Sequence, residues 1–118
     1  MRDDIDHHAL NKRLVERQER LVAERERREE AAATVELDQT RNGRLTRIDA
    51  MQGQAMAQAT QARAEAELRR IAAALKRIET GDYGYCTQCD EPIFHKRLEA
   101  DPATPWCIEC AEQAEGLG

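Results

Sequence analysis

Proline is missing from Ala9 through Thr80, and the only glycines in that span are Gly43 and Gly53. Proline removes an amide donor and clashes with the preceding turn, so this stretch lacks the strongest helix breaker. No apolar run approaches the ~20 residues that a membrane span requires, and no membrane partner is expected. The opening Met-Arg-Asp-Asp-Ile also lacks the charged lead, apolar core and small-residue cleavage site of a secretory signal. A cytoplasmic location, where thiols stay reduced, is therefore expected. Large apolar side chains are scarce at the carboxy-terminal end, where residues 82–118 carry only Tyr83, Tyr85, Ile93, Phe94, Leu98, Trp106, Ile108 and Leu117. A segment well below ~70 residues cannot fold on so small a core alone. Ser/His/Asp and Cys/His constellations and a phosphate-binding glycine loop are absent too, so an enzyme is not expected.

What the carboxy-terminal segment does have is all four cysteines of the chain, in "YGYCTQCDEPIFHKRLEADPATPWCIEC". Cys86 and Cys89 form one Cys-x-x-Cys pair, Cys107 and Cys110 the other, with seventeen residues between the pairs. In a reducing compartment this spacing points to zinc rather than to disulfides. Zn2+ takes four thiolates tetrahedrally, and each Cys-x-x-Cys turn offers two sulfurs converging on one point. A closed four-sulfur shell leaves no position for water, so one structural Zn2+ per chain is expected. Binding it can contribute on the order of 10 kcal/mol to folding. His95, between the two pairs, is read as solvent-facing, and His7 and His8 as surface residues of a polar amino-terminal lead. Trp106 is expected to pack against the metal-binding segment and the helix base.

The remainder is dense in Ala, Glu, Arg, Gln and Leu, a long-helix composition. "LRRIAAALKRI" sets Leu68, Ile71, Leu75 and Ile78 at steps of three and four, a seam for packing on another helix. Leu10, Leu14 and Leu21, with Val15 and Val22 beside them, form a sparser one. Along residues 50–66 the candidate core is mostly alanine, with Met51 and Met56. Thr34 and Val35, followed by Asn42-Gly43, weaken the helix and offer a turn. The expectation is a mainly α chain: a lead over residues 1–9, a long antiparallel helical hairpin or coiled coil over 10–81, and a small four-cysteine zinc finger with a short carboxy-terminal helix over 82–118. Within the hairpin, helices are expected at about 10–34 and 45–79, with the tip at about 35–46.

Charge narrows the partners. Residues 1–81 hold 16 basic and 15 acidic side chains, whereas residues 82–118 hold 2 and 8. Proteins that bind DNA draw most of their affinity from Lys and Arg on phosphates. With only Lys96 and Arg97 to offer, the finger is not expected to read DNA sequence directly. Near the expected turn Arg41, Arg44 and Arg47 cluster between Asp38 and Asp49, either as a solvated charged turn or as a partner-binding tip.

The stretch "GDYGYCTQCDEPIFHKRLEADPATPWCIEC" resembles the zinc finger of the DksA/TraR family of bacterial transcription factors, including Gly84 before the first pair, the Arg97-Leu98-Glu99-Ala100 run and Pro102. The resemblance is specific in the finger and general in the hairpin. It implies a regulator that binds RNA polymerase, inserting the hairpin into the secondary channel so that its tip approaches the active centre; a monomer is expected. The family's Asp-x-x-Asp-x-Ala tip motif does not occur between Val35 and Ala50. An ungapped count back from Cys86 puts its two aspartates on Gly43 and Thr46. Some members respond to ppGpp through basic residues at positions that read Asp101 and Ala111 here, although Arg70 is retained, so direct ppGpp sensing of that kind is not expected. The other function class open to the residues is an adaptor or oligomerisation module, with the finger as a protein-binding knob and the helices pairing between chains, as one long unbroken helix would also do.

Overall fold

In the computed structural model of the chain, residues 2–42 and 47–116 are described, with side chains for 2–33 and 53–116. Four helices follow in order: α1 (His7–Asn42), α2 (Arg47–Thr80), α3 (His95–Ala100) and α4 (Ile108–Glu115). No strand forms among the described residues; one antiparallel bridge joins Tyr85 and Pro92.

The start of α1 lies before the expected residue 10 because Asp6 caps it. The Asp6 carboxylate accepts the Ala9 amide at 3.0 Å, and its carbonyl accepts the Leu10 amide at 3.1 Å, satisfying donors that a helix start otherwise leaves unpaired. The far end also exceeds the expectation, since α1 runs through Thr34 and Val35 to Asn42. β-Branched residues cost a helix only ~0.7 kcal/mol or less each, too little to end one. Asn42 is the last helical residue, and 43–46 lie outside the described residues. The end of α2 is a glycine cap. Gly81 takes φ 83°, its amide reaches the Ile78 carbonyl at 3.4 Å, and the Asp82 amide reaches the Arg77 carbonyl at 2.9 Å. This pairing satisfies the last carbonyls while the chain turns out of the helix.

The chain divides into two compact units. One comprises residues 1–18 and 67–118. Here Leu10, Leu14, Ile71 and Ala74 are buried from the helices, and Tyr83, Ile93, Leu98 and Ala103 from the segment that follows. The helical portions run antiparallel: the His7 ring meets the Tyr83 ring edge-on at 6.0 Å, while Arg17 clasps Glu67 through two bonds of 2.9 and 3.0 Å. The α2 seam differs from the one expected. Ile71 and Ala74 are buried, whereas Leu68, Leu75 and Ile78 are only half-buried. Alanine lies inside because a small side chain lets a neighbouring element approach closely.

The second unit comprises residues 19–66. Leu21 and Ala64 are buried, and Arg25 pairs with Glu65 at 3.2 Å, so α1 and α2 lie side by side there as well. The expected contribution of Met56 to a core is corrected: it is 72 % exposed, within a run, 53–63, that is exposed throughout. Met51 lies outside the residues whose side chains are described. No helix among the described residues is long and apolar enough to cross a membrane.

Candidate metal centre

The first cysteine pair sits on a short hairpin that follows the α2 cap. Gly84, at φ 97°, turns the chain with a backbone that side-chain-bearing residues rarely adopt. The Ile93 amide donates to the Gly84 carbonyl and the Cys86 amide to the Glu91 carbonyl, both at 2.8 Å, closing the hairpin around the Tyr85–Pro92 bridge. Asp90 completes the tight return with φ 63°, donating its amide to the Cys86 carbonyl at 2.9 Å. Aspartate is among the few residues that tolerate that conformation.

The second pair sits on a helix start. Cys107 is the residue before α4, with φ −68° and ψ 167°, and Cys110 follows one turn later on the same side. The Thr87 amide donates to the Pro105 carbonyl at 2.9 Å, tying the two cysteine turns together.

Cys86, Cys89, Cys107 and Cys110 thus converge, with their sulfurs all within 4.8 Å of one another. Cys89 Sγ and Cys107 Sγ are 3.7 Å apart. Zn–S bonds of ~2.3 Å in a tetrahedron put neighbouring sulfurs about 3.8 Å apart, whereas a disulfide holds them at ~2.05 Å. Electrostatics agree. Burial raises the Cys86 thiol, but the backbone N–H groups of Cys107, Cys89 and Gln88 outweigh it and bring the group down to about 6. The Cys107 thiol, followed by burial, pushes Cys110 up. The Glu91 backbone pulls Cys89 down, yet burial and the Cys86 and Cys107 thiols prevail and raise it. Four thiols this crowded cannot all ionise unless a cation lies among them, so the donor set fits Zn2+.

Two arginines grip the hairpin from outside the cysteine pattern. Arg77, in the last turn of α2, donates to the Asp82 carbonyl at 3.1 Å and the Tyr85 carbonyl at 2.7 Å. Arg2 donates to the carbonyls of Gly84 and Ile93. Sequence reasoning found neither, because carbonyl recognition leaves no spacing signature. His95 opens α3 with its ring 4.6 Å from Phe94 and is half-buried rather than solvent-facing. Trp106 is half-buried, and its carbonyl accepts the Arg97 Nε–H at 3.0 Å. Asp101 ends α3 and accepts the Ala103 amide at 3.2 Å, so an acid here serves the local turn. Phe94 and Ile108, counted among the finger's few large apolar residues, are instead 60 % and 57 % exposed. The side chains of Asp38, Arg41, Arg44, Arg47 and Asp49 lie outside the described residues.

Residues 81–116 match the prokaryotic dksA/traR C4-type zinc finger. Over 48 residues, 41 % of this chain, the sequence is 46 % identical to the RNA polymerase-binding transcription factor DksA of Haemophilus influenzae. The corresponding identity to DksA of Escherichia coli K12 is 42 % over 48 residues. These matches span about a third of the curated relatives, 33 % and 32 % of their lengths. In fold, the chain is similar to transcription factor DksA2 from Pseudomonas aeruginosa, with a TM-score of 0.68 and 27 % identity over 93 % of this chain and 83 % of that one. It also shares a fold with the RNA polymerase binding protein and transcriptional regulator Dks of Chlamydia trachomatis, at a TM-score of 0.59 and 22 % identity over 98 % of this chain and 93 % of that one. With four cysteines placed for one structural Zn2+, residues 81–116 are a zinc finger of the dksA/traR C4 type, and the chain is similar in fold to the DksA proteins.

Proposed function

We propose that this chain is a bacterial transcription regulator that binds RNA polymerase as a monomer in the cytoplasm, entering the secondary channel with its helical hairpin so that the turn between α1 and α2 acts near the active centre. The observation that carries this reading is the fold similarity to DksA2, which extends over 93 % of the chain rather than over the zinc finger alone. Charge also supports it: the finger is acidic, with 8 acidic and 2 basic side chains over residues 82–118, which disfavours a phosphate backbone as the principal partner. The regulator catalyses no reaction of its own. Direct ppGpp sensing through the carboxy-terminal side of the finger is not part of the proposal, since Asp101 and Ala111 stand where basic residues would be needed.

A second reading has one observation in its favour. Phe94 and Ile108, both exposed, line a shared groove on the finger with Pro92 and Arg97, a surface that an adaptor could offer to another protein. Competition separates the two. RNA polymerase is bound to the immobilised chain, and a factor known to fill the secondary channel is added. Displacement supports channel entry; simultaneous binding of both supports the adaptor; absence of polymerase binding removes the first reading.

A further inference from the structure

The amino-terminal lead was expected only to precede the helices, yet its second residue is built into the zinc finger. The Arg2 side chain is 8 % exposed. Its Nη1 donates to the Gly84 carbonyl at 2.6 Å and also to the Ile93 carbonyl. Nε and Nη2 form a two-pronged contact with the Asp4 carboxylate at 3.0 and 2.6 Å, which holds that carboxyl below its usual range. The guanidinium lies 5.9 Å from the centre of the Tyr85 ring. A Cβ added to Gly84 would come within 2.9 Å of Arg2 Cδ and 3.2 Å of Ile5 Cδ1, so the lead and the hairpin meet without spare room.

Gly84 and Ile93 face each other across the hairpin that presents Cys86 and Cys89, and Arg2 bonds the carbonyl of each arm. A planar guanidinium can hold both carbonyls and a carboxylate at once; an ammonium lacks that fixed fork. We propose that Arg2, oriented by Asp4, is a positioning residue of the metal centre: it clamps the two arms of the first cysteine hairpin and thereby sets how long the finger retains zinc. Opening that hairpin is the step that exposes the Cys86 and Cys89 sulfurs to a competing chelator. Groups hydrogen-bonded to metal ligands typically influence metal affinity about 10–100-fold, and a clamp on the backbone that carries the ligands is expected at the low end of that range.

The test uses the full zinc-loaded chain in a reducing buffer and follows zinc transfer to a chromogenic chelator, 4-(2-pyridylazo)resorcinol, with helical content monitored in parallel. Arg2→Ala is expected to release zinc about tenfold faster than wild type. Arg2→Lys, which keeps the charge but not the fork, is expected to fall between the two and gives a readout should the alanine variant not fold. Leu21→Ala, which removes a buried side chain from the other compact unit, is expected to release zinc at the wild-type rate. The proposal is overturned by a wild-type rate in either Arg2 variant, or by acceleration in Leu21→Ala equal to that in Arg2→Ala.

Discussion

The cysteine hairpin and the helical run 53–63 hold their shapes by different means. In the hairpin, four short backbone bonds, two arginine clamps and converging sulfurs fix a chain that has almost no regular structure. In 53–63 every residue is exposed, and the main support is the helical ladder of a sequence rich in alanine and glutamine, with one long side-chain bond from Arg63 to the Thr60 hydroxyl at 3.5 Å. One region is specified by a few irreplaceable groups, the other by many interchangeable ones. Single substitutions should therefore be severe in the first and mild in the second.

The sharpest way to test that contrast is to remove one sulfur. Cys86→Ser leaves three thiols for an ion that needs four, and loses binding energy on the order of 10 kcal/mol. The expected result is zinc loss by elemental analysis and disorder over residues 82–112, with most of the far-ultraviolet helical signal retained. A variant with full zinc content would refute the assignment of Cys86 as a ligand.

Next in size comes the packed end of the helices. Leu14 is 2 % exposed, and Leu14→Ala should cost about 2–5 kcal/mol through lost burial and the cavity left behind. Met56→Ala, at a side chain 72 % exposed, should change stability by no more than ~0.5 kcal/mol. Chemical denaturation of both variants checks the difference, and equal losses would mean that Met56 is covered in solution.

A smaller effect is expected at alkaline pH. Tyr83 is buried and donates its hydroxyl to the Pro102 carbonyl at 2.8 Å. Burial, followed by the Asp101 charge, raises it to about 12. The unfolded chain ionises this phenol near ~10, so the folded state favours the neutral form. That stability is complete below ~10 and is lost as pH rises through about 12. Phenolate absorbance should show one of the two tyrosines titrating late, and Tyr83→Phe should flatten the fall in stability over that window.

The same contrast explains what could be read from sequence. The convergence of the four cysteines was legible because tetrahedral sulfur coordination imposes a spacing, and the helices because their composition is one-sided over some seventy residues. Leu10, Leu14 and Leu21 are buried as their spacing implied. Ala64 and Ala74 are buried as well, a selection decided by the approach of neighbouring elements that no periodicity encodes. The Arg2 clamp joins residues more than eighty positions apart through backbone carbonyls, which are the same for every sequence. Asp6 was legible as a cap in principle, but the leucine seam drew the expected boundary inward to residue 10.

The least effect on folding is expected in the stretch between α1 and α2 and beside it, where the functional effect should be specific. Asp38, Arg41, Arg44, Arg47 and Asp49 cluster in sequence around the break between α1 and α2. We propose these residues as the acting end of the regulator. Charges that act on a partner need not act in folding, and solvated pairs are typically worth under ~1 kcal/mol, so on this proposal Asp38→Asn, Asp49→Asn and Arg44→Ala leave the melting temperature nearly unchanged. If the helices and base supply most of the affinity, the variants should still bind RNA polymerase while losing their effect on transcription from purified components. The Asp-x-x-Asp-x-Ala motif is absent between Val35 and Ala50, so the residues that matter must be found by substitution rather than by alignment. Variants that melt early would make these charges structural; variants that transcribe like wild type would return them to a solvated turn.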